Sequence, residues 1–448
     1  MSKSVTKDMT VGSPMRLIVS FFIPLLLGML FQQFYSMMDT IIVGRCLGVN
    51  ALAAVGSTGS VNFMIIGFCM GVCNGFAIPV AQRFGAKDQT GLRKFVANSV
   101  WLSIVFAVIM TIVTCILCRQ IMTWMRTPAD IFEDANTYIF IIFIGIPATY
   151  LYNLVSGIIR SLGDSRSPLF FLIVSSVLNI GLDFLFILTF HMGVAGAAWA
   201  TVISQAVSGI GCLFYMKHKF EILKIRPEEW KMDTKYMKIL CGMGIPMGLQ
   251  YSITAIGSVI LQTAVNTLGS SAVAAITAGS KVSMFFCCPY DAMGSTMATY
   301  AGQNVGAGKL DRVKKGMLSC CLLGLIYAVL AFVFLFFFGR YTALLFMEVS
   351  EKAILGNVTT FLLINSAFFF PLSLVNIIRF TIQGMGYSVL AICAGICEMV
   401  ARSIVGFVFV PMWGFVAACF ASPVAWICAD IFLIPAFFYC LRRLKKVY

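Results

Sequence analysis

Apolar residues along this chain come in long uninterrupted runs, not in the short alternations of half-buried strands or the stripes of surface helices. A membrane-spanning helix needs about 20 such residues. Twelve runs qualify, near 16–43, 51–80, 96–118, 132–158, 168–190, 193–216, 238–267, 271–300, 316–338, 354–384, 388–411 and 413–441. Several exceed the minimum, which predicts tilting or ends that project into water. The first run contains Pro24 and is too long for a cleaved leader, so it reads as the first span. The only long polar connection, Lys217 to Lys238, separates six spans from six. The expected organisation is an N-lobe at 1–216, a cytoplasmic linker at 217–237 and a C-lobe at 238–448.

The two halves repeat. Leu47-Gly48 followed by Ala51-Leu52-Ala53-Ala54-Val55 matches Leu268-Gly269 followed by Ala272-Val273-Ala274-Ala275-Ile276. Gln82 to Ala86 matches Gln303 to Ala307, and Gly193 to Ala197 matches Gly414 to Ala418, all at one shift of 221 residues. A common register across three separated segments means an internal duplication. Six spans per half give both halves the same orientation, with their symmetry axis along the membrane normal, as in parallel-repeat transporters.

Composition sharpens this picture. Of 448 residues, 60% are hydrophobic and 11% charged, and mean hydropathy is +0.94, which excludes a soluble enzyme. The net charge of +14 is unevenly placed. Segments on the side of the termini hold 25 basic residues against five on the other, so both termini are expected in the cytoplasm, in a cytoplasmic (inner) membrane. That distribution accounts for the charge without nucleic acid. The 16 cysteines lie mostly within apolar runs and lack metal-site spacing, and there are only two histidines, so no cofactor is expected. The partners implied are the lipid bilayer and small organic molecules, with the protein as a monomer.

Ionisable residues within the spans need a reason, because each costs at least ~2.5 kcal/mol at the bilayer centre. Gly28, Gln32, Tyr35 and Asp39 fall on one helix face, a polar stripe that should line a cavity. Asn179 and Asp183 are four apart on the fifth span, and a tight turn brings Thr201 of the sixth within range. Together with Asp39 they make an all-oxygen pocket suited to a hard cation or a shared proton. Glu398 and Arg402 stand in the favourable order for an intrahelical pair, although Glu398 is also a candidate cavity residue. Asp291 is a candidate for attracting a cationic substrate, while Lys281 and Asp430 have no clear assignment. Pro24 and Pro246 occupy equivalent places in the first and seventh spans, where bending is a candidate for gating.

This pattern resembles the multidrug and toxic compound extrusion (MATE) family, in particular its DinF-type bacterial branch. The resemblance rests on Ile23-Pro24, Gln32, Asp39, Val43-Gly44, Leu47-Gly48 and Ala51 to Gly56 in the opening, Gln82 to Ala86, Asn179 with Asp183, Gly193 to Ala198, and Gln303 to Gly308. It implies an all-α polytopic membrane protein of the MATE/MOP-type fold, with twelve transmembrane helices in two pseudo-symmetric six-helix lobes. It further implies proton- or sodium-coupled antiport of organic, mostly cationic and amphipathic compounds, with cation coupling at Asp39, Asn179, Asp183 and Thr201. The acidic residues that another branch carries on helices 7 and 10 are missing here, where Gln250, Gln262, Asn365 and Asn376 stand instead. A flippase of lipid-linked precursors is the alternative within related folds. An enzyme would need a catalytic constellation, and no such motif is evident.

Overall fold

The computed structural model describes residues 6–344 and 352–447, and within these all regular structure is helical. The helices in chain order are α1 (Pro14–Leu47), α2 (Val49–Ser57), α3 (Gly59–Gly85), α4 (Gln89–Trp124), α5 (Phe132–Ile144), α6 (Ile146–Ser161), α7 (Arg166–Phe184) and α8 (Val194–Lys219). They continue with α9 (Thr234–Asn266), α10 (Ser270–Gly306), α11 (Leu310–Ala343), α12 (Lys352–Ala367), α13 (Phe369–Gly384), α14 (Ser388–Ile404) and α15 (Val410–Leu444).

Among the described residues nine helical stretches are long and apolar enough to cross a bilayer singly, and α5–α6 and α12–α13 do so as pairs bent by 46° and 50°. Proline explains the bends. Pro147 and Pro371 stand in the first turns of α6 and α13, where a missing N–H lets a new helix start in a new direction. One of the nine stretches, Ser388–Leu444, is 57 residues long and is interrupted at Gly414, whose φ of 62° and ψ of −138° are not helical. At about 20 residues per crossing it makes two spans, which yields the expected twelve.

The duplication is written into the backbone. Gly48 and Gly269 have φ of 92° and 94°, and Gly193 and Gly414 have φ of 61° and 62°. Lys87, at φ 57°, stands where the second repeat has Gly308 at φ 69°. Each pair is 221 residues apart. A π-helical turn follows α7 at Leu185–Thr189 and α14 at Val405–Phe409, and such turns concentrate at functional sites.

The chain forms two compact units, but their limits differ from those expected. The first unit comprises Met1–Met9 and Ile23–Tyr251, the second Thr10–Phe22 and Ser252–Tyr448. The start of α1 therefore belongs to the second unit, and the start of α9 to the first. Glycine contacts explain the second assignment. A Cβ on Gly71 of α3 would come within 2.5 Å of the Met247 carbonyl oxygen, and one on Gly75 within 2.5 Å of the Gly244 Cα. Gly71-x-x-x-Gly75 on α3 and Gly244-x-x-x-Gly248 on α9 thus let the two backbones touch, the small-residue packing characteristic of membrane helices. Pro24 and Pro246 both lie within five residues of a unit boundary.

The segment expected to be a linker is folded onto the first unit. Its 3₁₀ turn Pro227–Trp230 carries Glu229, 6% exposed, which accepts hydrogen bonds from Arg93 Nε at 2.7 Å and Nη2 at 2.9 Å. The Trp101 indole donates to the Trp230 carbonyl at 3.0 Å, and the Asp233 amide to Asn98 Oδ1 at 2.9 Å. The Arg93 hydrogen bonds hold the Glu229 carboxyl below the ordinary range for glutamate.

Candidate functional site

The four residues expected to couple a cation meet in the first unit. Asp39 comes from α1, Asn179 and Asp183 from α7, and Thr201 from α8. The Asp39 and Asp183 carboxyls are direct neighbours. Asn179 Nδ2 donates to Thr201 Oγ1 at 3.4 Å, and that hydroxyl donates to the Ala197 carbonyl at 3.1 Å. Asp183, Asn179 and Asp39 are 0%, 1% and 9% exposed. Asp183 sits in the last regular turn of α7, immediately before the π-helical turn.

What distinguishes the chamber is unmet demand. Asp39 Oδ1, Asn179 Oδ1 and both Asp183 oxygens are buried with no hydrogen-bond donor from the protein. Each such atom costs about 1–3 kcal/mol, and no cation pairs with either carboxylate among the described residues. A proton or a small monovalent cation would answer several of these lone pairs at once. With two carboxylates among neutral oxygens, the donor set suits a hard cation.

Two neighbours escaped the sequence reading. Tyr138 of α5 brings its phenol close to Asp39, Asp183 and Tyr35. Gln205 of α8 joins Gln32 and Asp39 as a polar neighbour of Tyr35, and its Oε1 accepts from Thr149 Oγ1 at 2.9 Å. Tyr138 could not be singled out among 14 tyrosines; only the packing of α5 on α8 selects it. Gln205 is four residues beyond Thr201 on the same face, a spacing that would have revealed it.

The remaining candidates go elsewhere. Asp291 is exposed on α10 in the second unit, together with Lys281, which borders an open depression of about 670 Å³ that also includes Asn266, Ser270 and Thr277. Glu398 is enclosed by its own partners. It is 5% exposed and ion-paired with Arg379 of α13 as well as with Arg402, at 3.5 Å, on its own helix. Arg379 lies inside α13, 5% exposed. Asp430 of α15 is close to both Arg379 and Glu398.

Twelve spans in two repeats, with ionisable groups buried in each, define a polytopic membrane transporter. The family follows directly. The MatE family model matches residues 24–185 and again 246–410, one match for each repeat, and the chain belongs to the MATE family, whose members are membrane transporters and not enzymes. A probable multidrug resistance protein of Bacillus subtilis, YpnP, is 30% identical over 83% of this chain and 82% of its own length. An FAD transporter of Shewanella oneidensis is 23% identical over 86% of this chain and 85% of its own. Two solved structures share the fold at 24% identity and a TM-score of 0.93: a MATE protein in complex with MaL6, with 100% of both chains covered, and a multidrug resistance MATE transporter of the MOP superfamily in an outward-facing conformation, covering 99% of this chain and 100% of the other.

Proposed function

We propose that this chain is a cation-driven antiporter that exports organic, cationic and amphipathic compounds across the cytoplasmic membrane, as a monomer with both termini inside. The first five residues and Tyr448 lie outside the described residues, so the orientation rests on the distribution of Lys and Arg. The observation that carries the reading is the Asp39–Asp183 chamber, with four buried oxygens lacking donors. An entering proton or sodium ion binds there and neutralises the chamber. It drives transport only because its affinity differs between the outward- and inward-open arrangements. Substrate occupies the polar stripe of α1 in the first unit, at Gln32 and Tyr35. Pro24 and Pro246 permit the bending that accompanies exchange. The names of curated relatives, among them the multidrug export protein MepA of Staphylococcus haemolyticus, support export of varied compounds.

The test is transport in proteoliposomes under separately imposed pH and sodium gradients. One gradient should drive export in the wild type, and Asp39→Asn or Asp183→Asn should reduce it to the level of protein-free vesicles. Gradient-driven export that persists in both variants would sink the assignment.

A second reading has one observation of its own. Arg160 of α6 is half-buried, donates to Asn74 Oδ1 at 3.1 Å, and has no carboxylate partner among the described residues. An unpaired guanidinium favours an anionic substrate, and the name of the Shewanella relative points the same way. Competition by FAD for export of an organic cation separates the two.

A further inference from the structure

One side of α10 carries polar groups that the chamber of the first repeat does not explain. Ser270, Ala274, Thr277 and Lys281 stand at successive spacings of four, three and four, hence on one helix face. That face borders the open depression of about 670 Å³, which Asn266 at the end of α9 completes, all within the second unit. Its volume falls in the range of small-molecule sites, about 300–1,000 Å³. Asn266 Oδ1 already accepts a hydrogen bond from Gln262 Nε2 at 2.8 Å, so the Asn266 amide has its N–H groups to offer.

Lys281 is the charged member of this face, and nothing nearby in the unit neutralises it. It stands about 16 Å into a membrane-crossing helix, where a cation is too costly to face lipid. It forms no ion pair among the described residues. Helices α11, α12 and α13 pack on α10, and the single acid among the three, Asp311, is paired with Lys445 at 2.9 Å. The stretch of α9 from Ser252 to Asn266 has no acid at all. Asp291, on the same helix as Lys281, lies about 15 Å farther along its axis. Nor does the fold require a cation at this place, since at the shift of 221 residues the first repeat has Ser60.

We infer that the depression is a binding site for an organic monocarboxylate, whose carboxylate pairs with Lys281 while its apolar body lies against Val273 and Ala278. The ammonium group brings three N–H donors to two carboxylate oxygens, and the Thr277 hydroxyl, one turn away on the same face, supplies another. One lysine balances one negative charge. A phosphate monoester, at about −2 near neutral pH, would be left half compensated where an unpaired charge is costly, so the carboxylate is the better match. The site is separate from the Asp39–Asp183 chamber and from Arg160, both of which belong to the first unit. It stands whichever compound the chamber drives.

The experiment is equilibrium dialysis of purified full-length protein in detergent, with protein-free micelles as the blank. The probe is 1-naphthaleneacetate, compared with its uncharged amide, 1-naphthaleneacetamide, and with 1-naphthyl phosphate. The wild type should bind the acetate about tenfold more tightly than the amide, the effect of one charge-assisted contact, and more tightly than the phosphate. Lys281→Met should reduce acetate binding to the level of the amide, and Lys281→Arg, which keeps the charge, should retain the preference. Arg160→Gln should leave acetate binding unchanged, which separates this site from the anionic reading of the first unit. Acetate bound no better than amide by the wild type, or equally well by Lys281→Met, overturns the site. Tighter binding of the phosphate overturns the choice of a carboxylate.

Discussion

The two repeats share a backbone but not a chemistry. Their glycine turns agree in φ to within 2° at Gly48 and Gly269 and at Gly193 and Gly414, and both carry a π-helical turn and a bent pair of helices. Their ionisable residues, by contrast, do not coincide. At the shift of 221, Asp39 faces Ile260 and Thr201 faces Ser422, while the stretch opposite Asp183, Ser403 to Gly406, contains no carboxylate. In the other direction, Asp291 faces Met70 and Asp430 faces Gly209. Arg379 falls opposite Ser156 when Gly386 is aligned with Gly163. The first repeat buries carboxylates without cations, and the second sets carboxylates around two guanidinium groups. Duplication preserved what the backbone needs to fold and left the buried charges free to diverge.

That contrast has consequences of opposite sign. Removing a cation from the second repeat strands buried carboxylates, so Arg379→Met should lower stability by about 3–5 kcal/mol. Removing a carboxylate from the first repeat relieves an unpaired buried charge, so Asp183→Asn should leave stability unchanged or raise it. Thermal midpoints in one detergent compare the two, and equal losses would erase the distinction. Smaller effects should follow where the repeats agree. Gly193→Ala and Gly414→Ala meet no neighbouring atom within 4 Å, so each should cost only backbone strain, about 1–3 kcal/mol, and by like amounts. Different costs would mean that the backbone symmetry is not functional equivalence of the turns.

The connector separates the repeats again, through pH. Because Arg93 depresses the Glu229 carboxyl, its contribution is complete above the ordinary glutamate value of about 4.3 and is lost as pH falls through the depressed value. Proteolytic nicking at 220–236 should therefore stay low down to about pH 4 and rise below it. The smallest effect is expected in the second repeat, where Lys445 pairs with Asp311 at 2.9 Å on an exposed surface. Lys445→Ala should not measurably shift the thermal midpoint, since exposed pairs contribute little.

Much of the architecture was legible beforehand. Span length is set by bilayer thickness, and the register of the repeat is visible in Leu47-Gly48 against Leu268-Gly269, because the same turn demands the same residue twice. The partners in the first chamber were legible through helical spacing, with Asn179 and Asp183 one turn apart. The unit boundaries were not, because no hydropathy pattern reports that Gly71 and Gly75 meet Gly244 and Met247. Nor did a polar composition show that the connector is clamped by Arg93. Nor was Arg379 legible as the partner of Glu398, because that pair joins two helices and no spacing within one helix reports it.

The sequence by itself determined the number of spans, their duplication and which ionisable residues needed an explanation, since these depend on local composition and period. Only the tertiary structure decided which of those residues are compensated. The energy of a buried charge depends on what lies within a few ångströms of it, and helices distant in the chain supply those neighbours.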